Sequence, residues 1–166
     1  MIQKKICMLG SYAVGKTSLV RQFVTSKFSD QYLTTVGVKI DRKAVNINGH
    51  DVRMMLWDLH GEDGYQQVHA SYLRGMAGYL LVADGTRPES METVHKLHQR
   101  AVETVGSVPF ILLVNKLDLV DEWAISDASL DELKSDGWNV QTTSAKTGER
   151  VNESFAELAR QMLAVS

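Results

Sequence analysis

Apolar and polar positions along the chain alternate between two periods. Short continuous apolar runs occupy Ile6-Cys7-Met8-Leu9, residues 79–83 and residues 110–114, each the length of a strand covered on both faces. Between them, apolar positions recur every three or four residues, the repeat of a helix with one buried face. Leu19, Val20, Phe23 and Val24 form one such stripe. Val94, Leu97, Ala101 and Val105 form a second, and Val151, Phe155, Leu158 and Met162 a third. Pro88 suits the first turn of the second helix, where a missing N–H costs nothing. Ser129, with Glu132 three residues on, reads as a capping box for a short helix that stops before Gly137.

Residues 36–58 break this alternation with two extended segments joined through Asn48-Gly49, the dipeptide of a tight hairpin. Strands alternating with helices, plus one hairpin, predict an α/β fold. Its sheet is mostly parallel with one antiparallel edge strand, and helices cover both faces. The 166 residues contain no linker, repeat or low-complexity stretch, so one domain spanning 1–166 is expected.

Composition changes this picture little. Apolar residues make up 44% and charged residues 23%, an ordinary globular balance. A net charge of −2 gives no basic surface for nucleic acid or anionic lipid. The single cysteine, Cys7, lies inside an apolar run and reads as a buried structural thiol, consistent with a reducing, cytoplasmic setting. The first residues hold no signal-peptide pattern, no run reaches the length of a membrane span, and no cysteine near Ser166 offers a prenylation site. No membrane anchor is expected in this chain.

The chemistry begins at Gly10-Ser11-Tyr12-Ala13-Val14-Gly15-Lys16-Thr17, which matches G-x-x-x-x-G-K-[ST] between an apolar strand and a helix. A loop wrapped round a phosphate needs inward-pointing backbone N–H groups, and its glycines permit the close approach. The helix that follows adds the positive end of its dipole. Ala13, Val14, Gly15 and Ser18 belong to this cradle. Lys16 is expected on the β- and γ-phosphates, and the Thr17 hydroxyl on magnesium. Alone, the pattern also occurs in ATPases and kinases.

Guanine preference comes from Asn115-Lys116-Leu117-Asp118, just past the third apolar run. The Asp118 carboxylate can accept from both the N1–H and the N2–H₂ of guanine. Adenine offers no such donor pair and would leave a buried charge unpaired. Ser144-Ala145-Lys146 follows an extended stretch over residues 139–143 and would turn the Ala145 N–H towards the guanine O6. Each motif is weak alone; their order after a phosphate loop is not.

With these motifs in place the chain resembles the Ras superfamily of small GTPases, nearest its Rab branch, over essentially its whole length. Phe28-Ser29-Asp30-Gln31-Tyr32-Leu33-Thr34-Thr35-Val36-Gly37-Val38 resembles switch I of Rab proteins, which ends in T-I-G-V. Trp57-Asp58-Leu59-His60-Gly61-Glu62 stands against the W-D-T-A-G-Q of switch II. The resemblance implies a P-loop G domain with a six-stranded sheet, binding GTP or GDP with Mg2+. It implies that Phe28 packs on the base, that Thr35 supplies magnesium's second hydroxyl, and that Asp58 holds magnesium through water. It further implies that the Gly61 N–H touches the γ-phosphate, that Lys116 covers the base plane, and that Asp118 reads guanine. Effector, exchange-factor and activating proteins are expected at residues 28–38 and 61–74.

Three positions depart from the family pattern around the point of hydrolysis. Glu62 replaces the glutamine that orients water, His60 replaces alanine, and Tyr12 occupies the third loop position, which is glycine in Ras. Lys16, Gly61 and Glu62 therefore form the candidate catalytic set. The main reading is a GTP/GDP switch with slow intrinsic hydrolysis; the rival is a guanine-nucleotide-binding interaction module with little or no hydrolysis. A P-loop kinase fits poorly, because the guanine motifs are complete and no acceptor site is evident. His95 and His98, three apart on a helix, read as a solvated face. Trp57 reads as a packed aromatic, and Asp121 with Glu122 as solvated loop.

Overall fold

A computed structural model describes residues 2–26, 37–59 and 70–165. Phe28, Thr35, His60, Gly61 and Glu62, and most of both switch segments, lie outside the described residues. The apolar runs form three central strands, β1 (Ile2–Gly10), β4 (Gly78–Asp84) and β5 (Phe110–Asn115), with β2 (Val38–Ile47), β3 (His50–Leu59) and β6 (Val140–Thr142) completing the sheet. The order is β2-β3-β1-β4-β5-β6. Every pairing is parallel except β2 with β3, so the antiparallel strand lies at the edge. Asn48 and Gly49 both take positive φ, 51° and 86°, as a two-residue hairpin turn with the right twist demands.

Successive residues of a strand face opposite sides of the sheet, and this sorts the core into two layers. Ile6 and Met8 join α1 (Lys16–Thr25) and α5 (Val151–Ala164) on one side. Cys7 and Leu9 join α2 (Ala70–Leu73), α3 (Ser90–Val105) and α4 (Asp127–Ser135) on the other. The helical stripes read from the sequence are the faces that meet the sheet, and Phe23 of α1 stacks on Phe155 of α5 at 4.1 Å. Cys7 is fully buried, donates to the Tyr72 carbonyl, and burial pushes its pKa up to about 12, so the thiol is inert. Trp57 packs edge-on against Tyr72, with the Lys5 ammonium 3.8 Å above its ring.

Three expectations need correction. Ser126, not Ser129, caps α4: its backbone is extended and its hydroxyl accepts the Ser129 N–H at 3.2 Å. Ile125 before the cap and Leu130 inside the helix share one apolar cluster, so a hydrophobic staple starts the helix three residues early. Pro88 precedes α3 by two residues, in an entry turn where the Ser90 and Met91 N–H groups donate to the Arg87 and Pro88 carbonyls at 3.0 Å. His98 is half-buried rather than solvated. Its Nδ1 lies 2.9 Å from the Tyr79 hydroxyl, and its ring packs among Phe110 and Trp138. His95 does stay exposed.

Candidate functional site

β1, β3, β4 and β5 all end at the same edge of the sheet, where parallel strands deliver their C-terminal residues and ligands bind in α/β folds. The residues at those ends are polar: Asp58, Asp84 and Asn115 are all buried to 2% exposure or less.

The phosphate loop runs from the end of β1 into α1. Ala13 and Gly15 have φ of 61° and 104°, which turns the loop back over its own amides. No side chain caps α1, and its first internal bond is Leu19 N–H to the Gly15 carbonyl, so the opening amides have no acceptor within the helix. Gly15 is sterically required as well as conformationally, since a Cβ there would lie 2.3 Å from Asn115 Nδ2. Val14 is buried beneath the loop, while Ser18 is half-buried in the first turn of α1. Lys16 folds back to donate to the Gly10 and Ser11 carbonyls at 2.9 and 3.3 Å. Burial lowers its pKa, and the Asp58 carboxylate opposes that. The Thr17 hydroxyl donates to Asp58 Oδ2 at 2.5 Å, joining the two predicted magnesium positions directly. The buried Ser11 hydroxyl has no hydrogen-bond partner among the described residues. Tyr12 leaves the loop outwards, 39% exposed.

The guanine motifs meet this loop through Asn115. Its Nδ2 donates to the Val14 carbonyl at 3.1 Å, and its Oδ1 accepts both the Thr143 hydroxyl and the Ala145 N–H at 3.2 Å. Three segments far apart in sequence are thus laced by one side chain. The Ser144 hydroxyl donates to Asp118 Oδ1 at 2.7 Å and accepts the Thr147 N–H, which fixes the carboxylate at the mouth of the site. Lys116 has a φ of 75° and reaches Asp84 Oδ2 at 2.9 Å, while Lys146 is exposed. Asp84, Thr86 and Arg87 take part in this site although no motif marks them. The available signal was a carboxylate closing a fully apolar strand at the edge where Asp58 and Asn115 also stand.

The donor set fits a nucleotide with a hard cation: amides at a helix N-terminus with no acceptor inside the helix, one lysine, and a hydroxyl paired with a buried carboxylate. Comparison with known proteins supports the nucleotide. The Ras family model matches residues 5–164. The chain belongs to the Ras family. Relatives include Rab-13 of Bos taurus, 30% identical over 96% of this chain and 79% of that protein, and SEC4 of Saccharomyces cerevisiae, 32% identical over 94% and 73%. The Ras-like protein rasS of Dictyostelium discoideum is 34% identical over 98% and 84%. As a Ras-family member the protein is a small GTPase and a molecular switch that binds guanine nucleotide and works with regulators and effectors. Among the described residues, no helix is long and apolar enough to cross a membrane.

Proposed function

We propose that residues 1–166 form one G domain whose phosphate loop and guanine motifs act as the sequence implies, with hydrolysis slow in the absence of an activating protein. The observation that carries this reading is Asn115, which ties Val14 of the loop to Thr143 and Ala145 beside the base motif. Ala13, Val14, Gly15, Lys16, Thr17 and Ser18 would hold the phosphates. Thr17 and Thr35 would ligate Mg2+, with Asp58 behind them through water. When bound, the cation would neutralise charge on the phosphates. Lys116 and Phe28 would flank the base, Asp118 would read its two donors, and Ser144, Ala145 and Lys146 would close that side. Lys16 and the Gly61 N–H would stabilise charge at the γ-phosphate, and Glu62 would take the role of the glutamine that aligns water. Regulators and effectors would dock on residues 28–38 and 61–74, and a cytoplasmic setting belongs to the same reading.

Competition binding with GTP, ATP and XTP tests the specificity. The wild type is expected to bind GTP and reject ATP. Asp118→Asn is expected to turn the preference towards xanthine, since an amide can donate to the extra carbonyl. Equal wild-type affinity for ATP and GTP would refute the guanine reading. The second reading, a binding module that scarcely turns over, draws support from the departures at Tyr12, His60 and Glu62. Single-turnover GTP assays with and without cell lysate separate the two: no hydrolysis in either favours the module.

A further inference from the structure

We infer that Arg87 is a positioning residue that locks the third position of the phosphate loop to Lys116 of the base motif, acting through Asp84. The inference rests on the nucleotide-binding reading above. Asp84 is 1% exposed, and a carboxylate so deeply buried needs its oxygens occupied. Its Oδ1 accepts the Thr86 N–H and hydroxyl at 2.8 and 2.7 Å. Its Oδ2 accepts Arg87 Nε at 3.1 Å and Lys116 Nζ at 2.9 Å. The other arm of the same guanidinium, Nη2, donates to the Tyr12 carbonyl at 2.6 Å.

The bridge depends on arginine itself. A guanidinium offers donors in a rigid fork, so one arm can hold Asp84 while another holds the loop; an ammonium is a single point of charge. The surroundings keep the bridge in place. The Gly85 N–H donates to the Asn115 carbonyl at 2.9 Å, and the Ala124 N–H donates to the Gly85 carbonyl at 2.8 Å. The Trp123 ring lies so close over Gly85 that a Cβ would overlap it. Burial tends to raise the pKa of Asp84, but its bonds to Thr86, Lys116 and Arg87 outweigh that, and it stays ionised.

Nucleotide release requires the loop and the base motif to part. With Arg87 in place the two open together; without it each opens alone. The probe is GDP carrying an N-methylanthraniloyl group, loaded on the full chain and chased with excess GDP. Arg87→Gln is expected to release it about tenfold faster than wild type, the loss of roughly one charge-assisted hydrogen bond. Arg87→Lys, which can satisfy one acceptor but not both, is expected to fall between. The preference for GDP over ADP is expected to be unchanged, since Asp118 is untouched.

Release from Arg87→Gln within twofold of wild type would overturn the inference. So would equal acceleration in the Lys and Gln variants, which marks a merely structural arginine. If the wild type fails to bind the labelled GDP, the nucleotide reading fails and takes this inference with it. Tight wild-type binding with unchanged variant release removes the inference alone.

Discussion

By its place in the sequence, Glu62 replaces a glutamine whose neutral amide, in the Ras family, would accept from the attacking water and donate towards the γ-phosphate. A carboxylate accepts but, ionised, has nothing to donate. Two like unit charges 4 Å apart repel by about 4 kcal/mol at an effective dielectric of 20, more than the roughly 1.5–3 kcal/mol that a charged hydrogen bond returns. A bound Mg2+ and Lys16 would reduce that repulsion. Glu62→Gln is therefore expected to raise the single-turnover rate of GTP hydrolysis. A slower variant would mean that the carboxylate works as a general base and that the electrostatic reasoning has the wrong sign. Other single residues were unequally legible. Asp118, Lys16 and Thr17 follow from the chemistry of a phosphate loop and a guanine edge. Arg87 does not, because its role depends on a contact across 75 positions of chain that no local pattern encodes.

The helices were legible by their stripes and the hairpin by its turn, while the boundaries that shifted did so for contacts made at a distance. α3 starts at Ser90, whose hydroxyl donates to the Arg87 carbonyl and accepts the N–H of Asp84, the last residue of β4, so the start is tied to the strand before it. His98 left its expected solvated face because Tyr79 and Phe110 come from strands that the helix had yet to meet. That packing has a pH signature. Burial first, and then the neighbouring His95, lowers the pKa of His98 below its ordinary value. The unfolded chain then binds the proton more readily than the folded one, so stability rises with pH across the interval between the two values. Stability is expected to be complete above about pH 6.5 and to decline as pH falls through the folded value. Melting temperatures of wild type and His98→Gln between pH 5 and 8 check this: the variant is expected to lose much of the slope. An unchanged slope would place the titration elsewhere.

The order of the sheet gathers polar strand ends at one edge and apolar layers on both faces, so the site and the core share the same scaffold. Phe155 is fully buried and stacked on Phe23, at the point where the last helix meets the first. Phe155→Ala is expected to cost about 3–5 kcal/mol, a large part of the roughly 5–15 kcal/mol that holds such a domain. Urea denaturation of the nucleotide-free protein measures it, and a loss below about 1 kcal/mol would mean that α5 is not integral to the core. The strand order also carries a consequence for biosynthesis. β1 is translated first but is flanked by β3 and β4, and its inner face is sealed by α5, which ends at Ala164. At about 5–20 residues per second, that first strand waits roughly 8–30 s on the ribosome before its last neighbour exists. Throughout that interval the apolar side chains on that face lack their α5 cover. A chain ending before Val151 would leave the face open, so it is expected to unfold rather than to switch in part.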